Sequence, residues 1–376
     1  MHQSVLMIST MILSLFIASV LVSKLVRNDG IYESFSRRSA IDGARGLLAI
    51  SVMSHHYYIT YVWKKTGEWV APTNKALENL GAVPVSMFFM ITGYLFLSKI
   101  KKGNVSWVDV YKGRLRRVFP LYITIGLMCL ALTIASSTNL DARQVLNAVL
   151  NWFLFKGSNI GNINTGGLIA YVNWTLAYEW VFYLLLPIIS ILFKSKPSWI
   201  TLAITAPLAI ALAIPTLAKL YLLFILSLLS IKKIKLIERA LKDFNIITNS
   251  VAIMILIITI CYTNAYSILQ MILVLILFTM IRNGVDFFGA LNYRGMKKLG
   301  DISYSIYLTH GFVIYLIFTQ LNSYDFANGF PHYVMLYPLT LFFVILSSLT
   351  TYKFIELPFF NRNHKIKIKF QDTDLT

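Results

Sequence analysis

The chain has 376 residues, of which 57% are hydrophobic and 13% are charged, and it carries a formal net charge of +18. A soluble protein of this length needs far more polar surface, so the composition excludes an ordinary soluble domain and favours a polytopic helical membrane protein. The basic residues lie in short clusters between apolar runs. This placement argues against nucleic-acid binding and is typical of the cytoplasmic loops of membrane proteins.

Eleven apolar runs recur along the chain at lengths that suit membrane-spanning helices. The sequence therefore predicts an all-α bundle in the lipid bilayer with spans at about 5–26, 41–62, 80–98, 118–138, 168–193, 198–213, 215–231, 245–263, 265–282, 300–320 and 333–355. The first run lacks a basic n-region and a small-residue cleavage site, so we expect it to be retained. Cys129 and Cys261 fall within apolar runs and imply neither a disulfide framework nor a metal site.

The distribution of basic residues predicts the orientation of these spans. With the N-terminus outside and the C-terminus in the cytoplasm, 28 of the 34 lysines and arginines lie on the cytoplasmic side, as the positive-inside rule requires. The remaining six are Lys64, Lys65, Lys75, Arg143, Lys156 and Lys219. Two predicted outer loops, 64–79 and 139–167, are long enough that we expect them to be either functional or disordered.

The second predicted span carries two ionisable residues, Arg45 and His56. Eleven helical steps of about 100° place both side chains on one face, about 16 Å apart along the axis. Ionisable groups within a membrane face a cavity or a partner, because exposing them to lipid costs several kcal/mol. Both residues are therefore predicted site residues, whereas His55 points about 80° away and is the weaker candidate.

Other predicted spans also carry polar groups that a purely structural helix would avoid. Glu179 lies near the middle of the fifth span, and the tenth span repeats polar residues every three positions at Tyr304, Tyr307 and His310. Arg45, His56, Glu179 and His310 all fall at membrane depths from which they could converge on one cavity. A structural alternative is that a single His or Glu only bridges helices through hydrogen bonds.

A basic cluster precedes the fourth span, at Arg114, Arg116 and Arg117. Arg114 and Arg117 are one helical turn apart and can clamp a phosphate with their guanidinium groups. Anchoring of the helix at the inner membrane surface explains the same arginines without any ligand. Both interpretations remain open at this level.

The predicted polar groups suit acyl transfer from a thioester. A neutral His56 imidazole can take the proton of an acceptor hydroxyl that attacks an acyl carbonyl, while Arg45 holds the donor or stabilises negative charge. Glu179 then either pairs with one of these groups or orients the imidazole. The sequence has no P-loop, zinc motif or G-x-S-x-G elbow, so phosphoryl transfer, metal chemistry and serine hydrolysis have no support.

The order of these motifs resembles the bacterial acyltransferase family 3. The resemblance covers about residues 36–360 and rests on six segments, at 42–56, 88–95, 114–120, 174–187, 302–310 and 355–359. It implies a multi-pass enzyme of the bacterial inner membrane that has no permanently bound cofactor. Such an enzyme moves an acyl group, usually acetyl, from cytoplasmic acetyl-CoA to a carbohydrate hydroxyl of O-antigen, capsule, exopolysaccharide or peptidoglycan.

The resemblance also implies roles for particular residues. The predicted catalytic group is His56 as general base with Arg45 and Glu179, the predicted coenzyme-binding group is Arg114, Arg116 and Arg117, and the predicted substrate-contacting group is Tyr304, Tyr307 and His310. The family's common Glu-Glu pair is Glu179-Trp180 here, which leaves one carboxylate.

The family resemblance also divides the chain into three parts. The family core has ten spans and begins near Arg45, so residues 1–35 are predicted to be an additional helix and a cytoplasmic linker. Residues 36–360 form the predicted acyltransferase domain, and residues 361–376 form a basic cytoplasmic tail. No hydrolase-like domain follows the last predicted span, so we expect any partner that completes the transfer to be a separate protein.

Two alternatives to an acetyltransferase remain open. A transporter or flippase for a polysaccharide or its precursor would also have these spans and buried charges, although it has no need of coenzyme A. An enzyme of the same class could instead transfer succinyl or a longer acyl group, because hydrophobic periodicity does not define the shape of a pocket. The sequence also leaves the sugar, its hydroxyl and the oligomeric state undefined.

Overall fold

A computed structural model describes residues 2–25, 39–103, 105–137, 141–193, 196–212, 218–232 and 234–359. Almost all of the described elements are helices, which confirms the predicted all-α class. The helices are α1 His2–Leu25, α2 Ala40–Thr66, α3 Lys75–Lys101, α4 Trp107–Ser136, α5 Ala142–Phe153, α6 Asn173–Ile191, α7 Trp199–Leu212, α8 Tyr221–Leu226, α9 Lys235–Asp243, α10 Asn245–Tyr262, α11 Ile268–Asn283, α12 Arg294–Asp301, α13 Ser303–Tyr315, α14 Phe330–Met335 and α15 Tyr337–Thr351. The linker in the predicted N-terminal part, residues 26–35, and the predicted tail at 361–376 lie outside the described residues.

Each of the eleven predicted spans overlaps at least one helix. Within the part of the chain that the structure describes, six helical segments are by length and composition able to cross a membrane, namely His2–Lys24, Lys75–Lys101, Trp107–Ser136, Asn173–Ile191, Asn245–Tyr262 and Phe330–Phe359. The pair α12 and α13 would make a seventh, although the chain bends by 70° between them. The protein is therefore a multi-pass membrane protein, and the total of eleven spans stays a prediction.

The predicted outer loop at 139–167 is largely ordered. It contains α5 and a short antiparallel hairpin, β1 Asn159–Ile160 and β2 Ile163–Asn164, in which Ile160 pairs with Ile163. A 3-10 turn, Gly167–Ile169, follows and is fully buried at its last two residues. The loop therefore folds back onto the helices instead of extending away from them.

The helix α2 occupies the centre of the bundle and packs against α1, α3, α12 and α13. Gly43, Gly46 and Gly300 allow α2 to touch the neighbouring backbone around α12. A Cβ atom at Gly300 would lie 1.8 Å from the carbonyl oxygen of Asp42, and one at Gly43 would lie 1.9 Å from another carbonyl oxygen. Because Arg45 lies between two of these glycines, the crossing fixes where its side chain enters the bundle.

The N-terminal helix α1 belongs to the same bundle. It packs against α2, α12, α14 and α15, and Met7, Met11 and Val22 are buried in the apolar cluster that these helices share. One face of α1 is therefore covered by the rest of the protein. The helix is additional to the ten spans expected for the family, but it packs as part of the bundle.

Replacing Gly300 with alanine should lower the thermal unfolding midpoint of the detergent-solubilised protein. The added Cβ forces α2 and α12 apart, and overpacking of this kind costs about 1–3 kcal/mol. Gly113→Ala is the matched control, because a Cβ there meets nothing within 4 Å and alanine favours a helix over glycine. Equal midpoints for Gly300→Ala and the wild type would show that the crossing does not depend on backbone contact.

Candidate active site

A cavity of about 500 Å³ lies between the first turns of α2 and α4 and parts of α3, α6 and α13. Its wall brings together charged residues that are far apart in the sequence. These are Asp42, Arg45, Arg114, Arg117, Glu179 and Asp301. Three guanidinium groups around one space suit an anionic ligand, because each offers several charge-assisted hydrogen bonds.

The position of Arg45 follows from the start of α2. Ser39 and Asp42 form a capping box, in which the Ser39 backbone N–H donates to the Asp42 carboxylate at 2.9 Å. The Arg45 guanidinium is attracted by the carboxylates of Asp42 and Asp301. It is repelled by Arg114 and Arg117, so an anion bound among the three arginines would relieve unfavourable charge interactions.

The helix α4 contributes two of its three clustered arginines to the cavity. The Arg114 guanidinium lies over the rings of Phe96 and Tyr183, at 4.9 and 5.8 Å from their centroids. Arg117 lines the same wall, but Arg116 does not belong to the lining, since adjacent helical positions point about 100° apart. The sequence prediction grouped all three arginines, whereas the structure separates Arg116 from the other two.

Glu179 lies on the arginine side of the site. Its two carboxylate oxygens accept hydrogen bonds from Thr92 Oγ1 at 3.1 Å and from the Tyr183 hydroxyl at 2.8 Å. It is also attracted by Arg114 and Arg45. Of the two roles that the sequence left open, this geometry favours pairing with the arginines over orienting His56.

His56 is hydrogen bonded to His310 from α13. The His56 Nδ1 and His310 Nε2 atoms are 2.9 Å apart, and the two rings are nearly parallel at 15°. The His310 Nδ1 atom lies 3.0 Å from the carbonyl oxygen of Ile306. A carbonyl only accepts, so in neutral rings His310 carries its proton on Nδ1 and accepts from His56 Nδ1–H at Nε2. The His56 Nε2 atom is then the one with a free lone pair.

The cavity stops short of this histidine pair. Neither His56 nor His310 is among its lining residues, whereas Tyr307 is. The Tyr307 ring lies 6.1 Å from that of His310, and its hydroxyl is 2.7 Å from Thr175 Oγ1. The sequence suggests one cavity for Arg45, Glu179, His56 and His310, whereas the structure places the first two in an arginine-lined cavity and the histidines in an adjoining pair.

The two predicted tyrosines both line the cavity. The Tyr304 hydroxyl donates to the backbone carbonyl of Val118 at 2.8 Å, which ties α13 to α4. His310, by contrast, is fully buried and has both ring nitrogens engaged with protein groups. Contact with a substrate stays a prediction for all three, and the geometry favours it for the tyrosines.

Three site residues escaped the sequence analysis as individual candidates. Thr175 and Tyr183 lie inside the segment 174–187 that carried the family resemblance, so the motif itself was the available signal. Trp69 follows the span that contains His56, and its ring lies 6.2 Å from the His56 ring at an angle of 24°. Nothing in the sequence distinguishes it from an interfacial tryptophan.

Among the described residues, no group of three or more His, Cys, Asp and Glu side chains is arranged to hold a metal ion.

Comparison with known proteins adds to this geometry. The family model for an acyltransferase domain matches residues 38–350. The chain belongs to the acyltransferase 3 family. All nine predicted site residues lie within the matched range. The match confirms the predicted family and the enzyme class, and it favours acyl transfer over transport.

Individual relatives are more distant. The protein O-acetyltransferase OatA from Staphylococcus aureus strains NCTC 8325 / PS 47, COL and MRSA252 is 23% identical to this chain over 370 residues. The similarity covers 86% of this chain but 57% of each relative, so the chain spans little more than half of their length. No solved structure matches the chain.

NMR of protein with selectively ¹⁵N-labelled histidine should show that His56 and His310 are protonated at Nδ1 and unprotonated at Nε2. His310→Ala removes the acceptor for His56 Nδ1–H and should shift the His56 signals towards a mixture of tautomers. His332→Gln, which alters an exposed histidine, is the control and should leave those signals unchanged. A His56 ring protonated at Nε2 in the wild type would contradict the assigned hydrogen-bond direction.

Proposed function

We propose that this protein is a bacterial plasma-membrane O-acetyltransferase. It moves an acetyl group from cytoplasmic acetyl-CoA to a hydroxyl of a cell-surface polysaccharide. The observation that carries the proposal is the arginine-lined cavity that leads towards the His56–His310 pair within an acyltransferase domain. The name of the S. aureus relatives supports acetyl as the acyl group, and the positive-inside pattern supports a cytoplasmic C-terminus.

The donor enters the arginine-lined cavity in this proposal. Arg114 and Arg117 lie near the start of α4, where their guanidinium groups can bind the phosphates of coenzyme A. Arg45 lines the cavity, whereas His56 does not, and the two residues lie about 16 Å apart along α2. Of its two predicted roles, Arg45 therefore holds the donor rather than stabilising charge at the reacting carbon.

The acyl end must pass the contact between Tyr307 and Thr175. In this proposal an extended pantetheine arm crosses the cavity and presents the thioester beside His56. The hydrogen bond between the Tyr307 and Thr175 hydroxyls lies on this proposed route and breaks when the thioester advances. Both residues are buried, which keeps water away from the thioester until an acceptor is present.

The transfer itself uses His56 as general base. Its Nε2 atom takes the proton of the acceptor hydroxyl while the hydroxyl oxygen bonds to the thioester carbonyl carbon. The tetrahedral intermediate collapses by breaking the carbon–sulfur bond, and the imidazolium returns the proton to the leaving thiolate. The products are an acetyl ester and free coenzyme A. His310 is a positioning residue, because it accepts from His56 Nδ1 and keeps Nε2 available as the base.

The His56→Ala variant should abolish base-labile acetyl in the surface polysaccharide, with the amount of polysaccharide unchanged. General-base catalysis contributes about 10²–10⁴-fold to a rate, so its loss should leave little product. The measurement is proton NMR of glycan from cells with matched levels of wild-type or variant protein in the membrane. Acetyl that persists while surface glycan falls would favour a transporter. If neither changes, the proposed acyl group or acceptor is wrong.

The two neighbouring arginines of α4 should differ in their effect on donor binding. Arg117→Gln should raise the KM for acetyl-CoA about 10- to 100-fold, because a hydrogen bond between charged groups is worth about 1.5–3 kcal/mol. Arg116→Gln removes the same charge from the same helix outside the cavity, so its effect should be several-fold smaller. Equal effects of the two variants would favour general anchoring of α4 at the membrane surface over a phosphate site.

A further inference from the structure

Four aromatic rings gather beyond His56, on the side away from the arginine-lined cavity. We call Trp63, Trp69, Tyr171 and Tyr315 the aromatic cluster. Its centroid distances are 5.8 Å for Trp63–Trp69, 5.7 Å for Trp69–Tyr171 and 6.5 Å for Trp63–Tyr315. The four rings come from different parts of the chain, namely the end of α2, the loop after it, the segment before α6 and the end of α13.

These rings are only partly covered by the protein. Trp63, Trp69 and Tyr315 are half-buried, and Tyr171 is 37% exposed. Trp69 also lies near-parallel to the His56 ring at 6.2 Å. The cluster therefore presents open aromatic surface that is continuous with the proposed catalytic base.

The backbone that presents Tyr171 is in a costly conformation. Ala170 and Tyr171 have φ angles of 53° and 57°, and residues other than glycine rarely adopt such values. The segment is held by close packing on α13, since a Cβ at Gly311 would lie 2.3 Å from the backbone of Ile169. Strained backbone of this kind persists only where the surrounding structure enforces it, and it concentrates at functional sites.

An interfacial aromatic belt is the alternative explanation for tryptophans and tyrosines near helix ends. Belt residues project towards lipid headgroups, as exposed Trp199 and Tyr262 can, at 77% and 73% exposure. The rings of the aromatic cluster instead contact each other, and that of Trp69 contacts His56. Lys64 Nζ lies 4.9 Å from the Trp63 centroid. Mutual contact around a catalytic residue is a feature of a binding site.

We propose that the aromatic cluster binds the sugar ring that carries the acceptor hydroxyl. This inference rests on the proposed function, since it names the binding site for the acceptor. The C–H face of a sugar ring is apolar and packs flat against aromatic side chains, while the hydroxyls at its edge remain free. A ring seated on Trp69 would direct an edge hydroxyl towards His56 Nε2. Lys64 would offer a hydrogen-bond donor to another hydroxyl.

The location of the aromatic cluster also places the acceptor site and the donor site on opposite sides of His56. Trp63 lies eighteen positions after Arg45 in the same helix, about 27 Å further along its axis. The donor therefore reaches His56 from the arginine-lined cavity and the acceptor reaches it from the aromatic cluster. Contact between the substrates occurs only at the histidine pair, where the proton transfer takes place.

The test uses full-length protein in nanodiscs and the surface polysaccharide of the source bacterium after alkaline removal of its esters. Trp69→Leu and Tyr171→Leu should each raise the KM for this glycan about ten-fold, because each removes one ring contact. The KM for acetyl-CoA should change less than two-fold. Trp69→Phe keeps a ring and should restore most of the glycan affinity. Trp199→Leu, a tryptophan outside the cluster, is the matched control and should behave like wild type.

Glycan binding without acetyl-CoA, measured by calorimetry on the same samples, separates the two proposals. Binding that depends on Trp69, with or without acetyl transfer, supports the aromatic cluster as the sugar site. If the wild type binds this glycan in that way but never acetylates it, the proposed function fails alone. Acetyl transfer with unchanged glycan KM in Trp69→Leu and Tyr171→Leu overturns the aromatic cluster alone. A wild type that neither binds nor acetylates the glycan overturns both.

Discussion

The backbone contact between α2 and the region of α12 is the constraint on which the site depends. Gly43, Gly46 and Gly300 bring the backbones close together, so that a single Cβ at Gly43 or Gly300 would overlap a carbonyl oxygen. Arg45 lies between two of the glycines, so its position is set by the crossing. The same rigid helix then carries His56 to the partner histidine on α13, which itself continues from α12 after a 70° bend.

Charged residues are distributed unevenly along α2 and its neighbours for a physical reason. Guanidinium groups are costly to remove from water, and here Arg45, Arg114 and Arg117 share a cavity with the carboxylates of Asp42, Glu179 and Asp301. The histidines, which function as neutral rings in the proposed mechanism, lie outside this cavity, and His310 is fully buried. In the proposed mechanism, this arrangement keeps the strongly charged groups near the polar part of the donor and the proton-transfer group near the reacting carbon.

The loop between α5 and α6 connects the surroundings of the histidine pair to the aromatic cluster. Its 3-10 turn packs on Gly311, immediately after His310, and the next residues hold Tyr171 beside Trp69. One segment thus covers the histidine pair and shapes the aromatic cluster. A loop of this length could have been disordered, but its buried Leu168 and Ile169 give it an apolar anchor among the helices.

Several features of this protein were fixed by its sequence alone. Apolar runs of membrane-spanning length leave helices as the accessible structure, because unpaired backbone groups are too costly in lipid. Helical periodicity places Arg45 and His56 on one face, and motif order identifies the family. Only the tertiary structure decided that Arg116 is outside the cavity lining, that His310 contacts His56, and that Trp69 and Tyr171 meet. Those relations depend on how distant helices and a folded loop pack together, and a local pattern carries no information about such contacts.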